Sequence, residues 1–298
     1  MQRERQPSQT LQAEWGDPMR DVANSTAILT GAGGGIGPSI AEELAKAKVN
    51  LVLASPSPAE IERVSSEVAQ WHKEVITVQT DVRNPQALHA LTERATERFG
   101  AVDILINNAG INNVLSYHKL RTEDINDILQ IDLIAPMLLS RLLLPGMLRR
   151  GRGHIVNMSS ISGKVALPFC GPYAAAKAGL IAFTHSIRSE YRDSGVSASV
   201  VCPGFVQAGI YKKLVDETAL EVPRLVGTSA AGKVAEAVLY AIKHDRSEVV
   251  VSPWRTRMTT LLAELSPVLA ERLIQCLGVT QWLRGVATIR EAKAPNLE

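Results

Sequence analysis

Tyr173 and Lys177 lie four residues apart in the run Tyr173-Ala174-Ala175-Ala176-Lys177. The intervening alanines favour helix, and helix positions i and i+4 share a face, so phenol and ammonium point the same way. A cation beside a phenol favours the phenolate and lowers a pKa that is ordinarily about 10. Such a tyrosine can give or take a proton near neutral pH. Of the five tyrosines only this one has the spacing, since Tyr117, Tyr191, Tyr211 and Tyr240 have no lysine four residues on. Ser160 stands thirteen residues upstream.

A second chemical feature opens the chain. The apolar run Ala27-Ile28-Leu29-Thr30 reads as a buried strand and leads into Gly31-Ala32-Gly33-Gly34-Gly35-Ile36-Gly37-Pro38. A helical pattern follows, with Ile40, Leu44 and Ala45 on one face and Glu42, Glu43 and Lys46 on the other. Pro38 suits a first helical turn, where its missing N–H costs nothing. Strand, glycine turn and helix together present backbone N–H groups to a pyrophosphate at a helix N-terminus. The spacing is G-x-x-x-G-x-G over Gly31, Gly35 and Gly37, not G-x-G-x-x-G.

Stepping along the chain, strand-like runs alternate with helix-like ones. This predicts an α/β protein: a doubly wound, Rossmann-like parallel sheet of about seven strands in a three-layer α/β/α arrangement. Ligands in such sheets bind outside the carboxyl ends of the strands.

These motifs, in kind, order and spacing, resemble the short-chain dehydrogenase/reductase family over residues 24 to 253. Thr30 to Gly37 is similar to the family's cofactor loop, including Gly31, Gly33, Gly34, Gly35, Ile36 and Gly37. Asp81-Val82 follows the strand Val75 to Val78 and resembles its adenine contact. Asn107-Asn108-Ala109-Gly110 resembles its segment below the cofactor, His154 to Ser160 its serine-bearing strand, and Pro203-Gly204, followed by Val206, its turn beside the nicotinamide. The resemblance implies hydride transfer between NAD or NADP and a carbonyl or alcohol. Tyr173 would exchange the proton, Ser160 would hold the substrate oxygen, and Lys177 would lower the tyrosine pKa and hold the ribose. The nicotinamide itself carries the hydride chemistry.

Two positions depart from the family pattern. Where an asparagine usually holds a relay water, Gln130-Ile131-Asp132-Leu133 places Asp132, nearly isosteric but without an amide donor. Asp132 either joins a relay through Lys177 or bonds backbone. The strand Asn50 to Ala54 ends at Ser55-Pro56-Ser57-Pro58, without the acid that would select NAD or a base that would select NADP. Ser55 can bond either cofactor. With nothing to repel a 2′-phosphate the reading leans to NADP, and Arg63 stands too far along to count.

Composition bounds the rest. The chain has 298 residues, 46% apolar, and a net charge of +2 with both signs interspersed, so nothing points to nucleic acid. Three cysteines without C-x-x-C spacing (Cys170, Cys202 and Cys276) suit a reducing, cytoplasmic compartment. Six histidines show no metal-ligand spacing. Arg149, Arg150 and Arg152 complement a helix end or dock an acidic carrier protein. Residues 1–22 are polar, lack the apolar core of a signal peptide and read as a disordered tail. No apolar run reaches the 18 residues of a spanning helix.

Residues 205–226, with Phe205, Ile210, Tyr211 and Leu214, are expected to close over an apolar carbonyl or alcohol substrate. Ala208 stands where the family often has a nicotinamide-binding threonine. Beyond the 23–253 domain, residues 254–298 read as a helical extension of two amphipathic helices broken at Pro267. It is expected to pack on the body or a second subunit, form a lid, or touch a membrane through Arg255, Arg257, Arg272 and Arg284. A homodimer or homotetramer is expected from close packing of the Tyr173 helix. A regulator or scaffold that binds cofactor without catalysis is the alternative function, supported by Asp132 and the featureless end of the second strand.

Overall fold

The computed structural model describes Met19 and residues 21 to 293. Seven strands form one sheet: β1 (Thr26–Thr30), β2 (Asn50–Ser55), β3 (Val75–Gln79), β4 (Ile104–Asn107), β5 (Gly153–Met158), β6 (Val196–Pro203) and β7 (Glu248–Val251). Their order is β3-β2-β1-β4-β5-β6-β7 and every neighbouring pair is parallel. The expected doubly wound sheet is therefore present, with helices on both faces.

Burial on two faces explains why the strands read as unbroken apolar runs. Ile28, Val52, Leu105, Ile155 and Ala198 point to one core, shared with α3 (Pro85–Phe99) and α5 (Ala135–Arg150). Leu29, Leu51, Leu53, Ile106, Val156 and Val201 point to the other, shared with α1 (Gly37–Lys46) and α8 (Ala231–Lys243). Strand order reverses between β1 and β4, so the loops leaving their carboxyl ends diverge and open a crevice.

Helix α4 (Thr122–Leu129) runs into α5 through a π-helical turn, Gln130–Ile134, giving one helix from Thr122 to Arg150. By length and composition it could cross a membrane. It packs instead along the sheet, burying Leu139, Leu143 and Met147. Asp132 and Arg141 interrupt it, which is why no continuous apolar run marks it in the sequence. At its end Gly151 adopts the left-handed cap (φ 60). Arg150 donates to Val102 O at 2.6 Å and Arg152 to Ser25 Oγ at 2.9 Å. These two cations are used in tying the helix end to the body.

Helix α2 (Pro58–Val68) follows β2, α6 (Gly171–Glu190) carries Tyr173 and Lys177, and α7 (Gly209–Thr218) follows β6. The C-terminal extension differs from the expected pair of helices. There are three: α9 (Trp254–Leu265), α10 (Pro267–Cys276) and α11 (Val279–Lys293). The expected break at Pro267 is present, between α9 and α10, and the addition is α11, entered through a turn at Gly278 (φ +75). Helix α11 buries Val279, Trp282, Leu283 and Val286 against Leu214, Val222 and Val226. Most of the expected 1–22 tail lies outside the described residues; Met19 and Val22, at its end, are buried in the α1/α8 core.

Candidate active site

The glycine loop is fitted to its surroundings by contacts that only glycine allows. Gly31 has φ +62, and a Cβ there would lie 2.8 Å from Ala109 Cα. A Cβ on Gly37 would lie 2.2 Å from Gly31 O, closing the turn into α1. Asn108 pins this turn from β4: its Nδ2 donates to Thr30 O and Gly31 O, each at 3.0 Å. Thr30 Oγ1 in return accepts from the backbone N–H groups of Asn108 and Ala109. Gly34 is open, with nothing within 4 Å of an added Cβ, and no side chain caps the N-terminus of α1. The uncapped N–H groups and the open glycine fit a pyrophosphate. Across the crevice Gly209, at the start of α7, abuts Gly35; a Cβ on either would come within 3.3 Å of the other's Cα.

A cavity of about 480 Å³ extends from this loop. It is lined by Gly31, Gly34, Gly35 and Ile36 from the loop, and by Asn108, Ala109 and Gly110 after β4. Asp132, Ser160, Tyr173 and Lys177 line it, as do Pro203, Gly204 and Val206. The structure thus brings together all four expected catalytic residues and ten of the expected cofactor contacts besides Tyr173 and Lys177. Gly33, Gly37, Ser55, Asp81 and Val82 do not line it. Gly37 is buried in the loop turn, and Gly33 and Ser55 sit together beside α2. The Asp81 carboxylate is held by the Arg83 guanidinium at 2.7 Å, which keeps its pKa below the usual carboxylate range.

Ser160 ends the strand segment and caps a short 3₁₀ turn, Ile161–Gly163, accepting from Ser162 N at 3.1 Å. The same hydroxyl is also near enough to Tyr173 to favour its phenolate by hydrogen bonding. The turn is locked to α6. Ser159 Oγ donates to Lys177 O at 2.8 Å, and a Cβ on Gly163 would meet the Lys177 carbonyl carbon at 2.7 Å.

Lys177 and Asp132 are both almost fully buried, with Nζ 2.9 Å from Oδ1. The ammonium also donates to Met158 O at 2.7 Å. The other carboxylate oxygen of Asp132 accepts from Ile111 N at 3.0 Å. Asp132 thus bonds backbone, one of the two readings considered for it, and also pairs with Lys177. Burial pushes its pKa up, and the lysine charge opposes that rise. The π-turn that carries it is an irregularity of the kind that recurs at functional sites. Gly110 must be glycine beside this pair, because a Cβ there would lie 2.7 Å from Asp132 Oδ1.

This pairing corrects one expectation. Lys177 Nζ lies 5.6 Å from the Tyr173 ring centre, yet the phenol is not acidified. Burial, then the Asp132 charge, push its pKa well above the ordinary value, and the Ser160 hydrogen bond only partly opposes them. The cation counted on from the i, i+4 spacing is offset by a carboxylate 45 residues away in sequence, which spacing alone does not show.

Three residues escaped the sequence reading, and a fourth, Arg63, was set aside in it. Glu60, in the first turn of α2, lies against the loop: a Cβ on Gly33 would be 2.6 Å from its Cβ and 2.8 Å from its Oε2. Arg63, one turn on, donates to Gly33 O at 3.1 Å, so it does reach the loop. Its distance along the chain misled, because α2 doubles back over β2. Asn112 and Arg290 also line the cavity. The remaining wall is mostly apolar, from Val114, Leu167, Phe205, Ile210, Tyr211, Leu214 and Leu283, with Lys213 and Glu217 also on it. Phe205 and Trp282 meet edge to face at 5.2 Å, which fixes α11 over the segment expected to close the site.

A parallel sheet with a glycine turn at its switch point, and a serine, tyrosine and lysine at the carboxyl ends of its strands, defines a nucleotide-linked oxidoreductase. Comparison with known proteins agrees. The family model for short chain dehydrogenase matches residues 25–219. The chain is 37% identical over 270 residues to the ketoacyl reductase HetN of Nostoc sp., spanning 89% of this chain and 93% of that protein. It is 34% identical over 197 residues to the 3-oxoacyl-[acyl-carrier-protein] reductase FabG of Vibrio cholerae, spanning 66% and 80%. A crystal structure of a short chain dehydrogenase/reductase from Burkholderia phymatum in complex with NAD superposes with a TM-score of 0.72 at 28% identity, over 82% of this chain and 96% of that one. The chain belongs to the short-chain dehydrogenase/reductase family and is an NAD(P)-linked oxidoreductase.

Proposed function

We propose that this protein interconverts a carbonyl and a secondary alcohol on an apolar substrate, with Tyr173 as its acid/base. The observation that carries this is the opening of Tyr173, Ser160, Lys177 and the glycine loop into one cavity whose remaining wall is mostly apolar. A nicotinamide dinucleotide held by Gly31, Gly34, Gly35 and Asn108 to Gly110 would supply or accept the hydride. Ser160 donates a hydrogen bond to the substrate oxygen and orients it. Tyr173, kept protonated by burial and by Asp132, gives its phenolic proton to that oxygen as the carbonyl carbon is reduced. Lys177, anchored between Met158 O and Asp132, stands beside Tyr173 where it would hold the nicotinamide ribose. The names of HetN and FabG, a ketoacyl and a 3-oxoacyl reductase, agree with carbonyl reduction on an acyl chain.

For the cofactor, the featureless end of β2 leans to NADP, but Glu60 weighs the other way. Its carboxylate stands beside Gly33 and Ser55, where an acid favours a ribose 2′-hydroxyl and repels a 2′-phosphate. We read the preference as NAD. Ile134 and Met137 stand exposed on the long α4–α5 helix and support self-association; a monomer mass in light scattering would remove that part. A scaffold without catalysis has no use for the Ser160–Tyr173 hydrogen bond.

The deciding experiment is turnover of a panel of apolar ketones by wild type and Tyr173→Phe, with dinucleotide binding followed by nicotinamide fluorescence. Turnover should fall by roughly 10²- to 10⁴-fold, the usual share of general acid catalysis, with binding kept. Equal turnover in the variant would sink the assignment of Tyr173. Tight binding with no turnover in wild type would favour the scaffold.

A further inference from the structure

The apolar wall of the cavity is interrupted by a small polar cluster that the proton-transfer chemistry does not use. Arg290, on α11, lines the cavity, and its Nη1 is buried with no hydrogen-bond partner among the described residues. Asn112, after β4, also lines it, and its Oδ1 is likewise buried and unpartnered. Leaving a buried donor of a charged group unmet costs more than an ordinary hydrogen bond returns, so such groups are expected where a ligand completes them.

The two groups meet at Cys170. Asn112 Nδ2 lies 3.6 Å from its Sγ, and Arg290 is close enough for its charge to act on the thiol. Burial pushes that thiol up to about 11, so it stays an S–H. It can therefore donate to the Asn112 oxygen as well as accept from its nitrogen, and the side-chain amide can present either end to the cavity. Cys170 caps the helix that carries Tyr173, which places the cluster beside the reacting end.

The charge balance favours an anion or a strong acceptor. Arg290 Nε lies 3.2 Å from Glu217 Oε2, and Lys213 Nζ lies 3.8 Å from Glu217 Oε1. All three line the cavity, so one carboxylate sits between two cations and a positive charge is left over. The guanidinium is held in place. Trp282 Nε1 donates to Leu220 O at 3.2 Å, and Glu291 Oε1 accepts from Ser116 N at 2.8 Å, fixing α11 on either side of it.

Building on the carbonyl-reductase reading, we propose that Arg290 and Asn112 form a subsite for a second oxygen function of the substrate. The substrate is then an oxo-acyl compound, in which a carboxyl-derived oxygen accepts from Arg290 Nη1 while the ketone is held at Ser160 and Tyr173. A plain ketone would leave Arg290 Nη1 unmet. A free carboxylate and a thioester share the required acceptor.

The test compares 3-, 4- and 5-oxohexanoate, their N-acetylcysteamine thioesters and the plain ketones 2-pentanone and 2-hexanone, using wild type, Arg290→Gln and Asn112→Ala. Wild type should show at least a tenfold lower KM for one acyl series than for the ketones. Arg290→Gln should reduce the acyl-to-ketone ratio of kcat/KM by tenfold or more, and Asn112→Ala, which spares the Arg290–Glu217 pair, should reduce it less. Binding gives a second readout: hexanoate should quench Trp282 fluorescence in wild type and not in Arg290→Gln. Better acids than thioesters, or the reverse, would say which form fits. An unchanged ratio in Arg290→Gln, or wild-type preference for plain ketones, would overturn the subsite and leave the reductase reading standing. If no carbonyl compound turns over, that reading falls and the subsite with it.

Discussion

The Asp132 carboxylate and the Lys177 ammonium form a buried ion pair, 2.9 Å apart, directly beneath the glycine that ends the β4 loop. A lysine placed to acidify Tyr173 is thereby held by a carboxylate that makes the phenol harder to ionise. A phenol kept protonated in this way suits the donor role proposed for Tyr173.

Replacing that carboxylate by its amide should reverse the bias. In Asp132→Asn a single oxygen is left to accept from Ile111 N or from Lys177, which in wild type use separate carboxylate oxygens, and the negative charge is gone. Tyr173 should then ionise more easily, on the order of one pH unit lower. In the reductive direction the alkaline limb of kcat/KM should move to lower pH, because the donor loses its proton sooner. In alcohol oxidation the acid limb should move the same way. pH profiles in both directions check this, and limbs that stay in place would show that Asp132 does not act on the phenol.

Cofactor choice should follow Glu60. Wild type should bind NADH more tightly than NADPH, and Glu60→Gln should narrow the gap by about tenfold, the equivalent of roughly 1.4 kcal/mol of charge repulsion. Titration by fluorescence with each dinucleotide measures it directly. A wild type that prefers NADPH would show that the carboxylate does not face the ribose.

Gly110→Ala tests how tightly the pair is enclosed. The added methyl would fall 2.7 Å from Asp132 Oδ1, and the neighbouring Lys177 leaves little room. Overpacking at such a place costs about 1–3 kcal/mol, and displacing the pair should depress kcat as well. A melting temperature and kcat both equal to wild type would show that the loop yields.

Acid stability should depend on His154. It is buried beside Ser199, at 2.8 Å, and burial lowers its pKa to about 4, with Asp245 and Arg188 acting in opposite senses on it. The unfolded chain binds this proton near pH 6.5. The neutral ring's contribution is therefore complete above that pH and is lost as pH falls from 6.5 towards 4, amounting to roughly 3 kcal/mol across the interval. Asp245, whose pKa is lowered by the Arg188 guanidinium against the opposing effect of burial, loses its contribution in the same acid direction. Denaturant unfolding between pH 7 and pH 4.5 should show the decline, and His154→Gln should flatten it. Identical slopes in the two proteins would remove His154 as the cause.

The parts of this molecule legible in the sequence are those written in local spacing. The glycine turn, the Asn108-Ala109-Gly110 segment and the Tyr173–Lys177 pair each sit within one element and its flanking loop, so type and interval suffice. The sheet was legible because strands buried on two faces read as apolar runs. What escaped depends on contacts between distant elements. Glu60 and Arg63 reach the loop because α2 folds back over β2. Asp132 neutralises Lys177 only because a π-turn aims it inward. Arg290 was invisible because its helix was not recognised, its start being hidden behind Gly278.

Helix α11 has a consequence for how such proteins diversify. Every group proposed to move a proton here is supplied before residue 178, whereas part of the cavity wall arrives with residues 283 to 290. Reaction and selectivity are thus written in separate stretches of one chain. Substitutions in α11 can retune what is accepted without disturbing the buried pair at the centre. Grafting this helix onto a homologous body should carry its substrate taste along, as interchangeable as a key blade on a common bow.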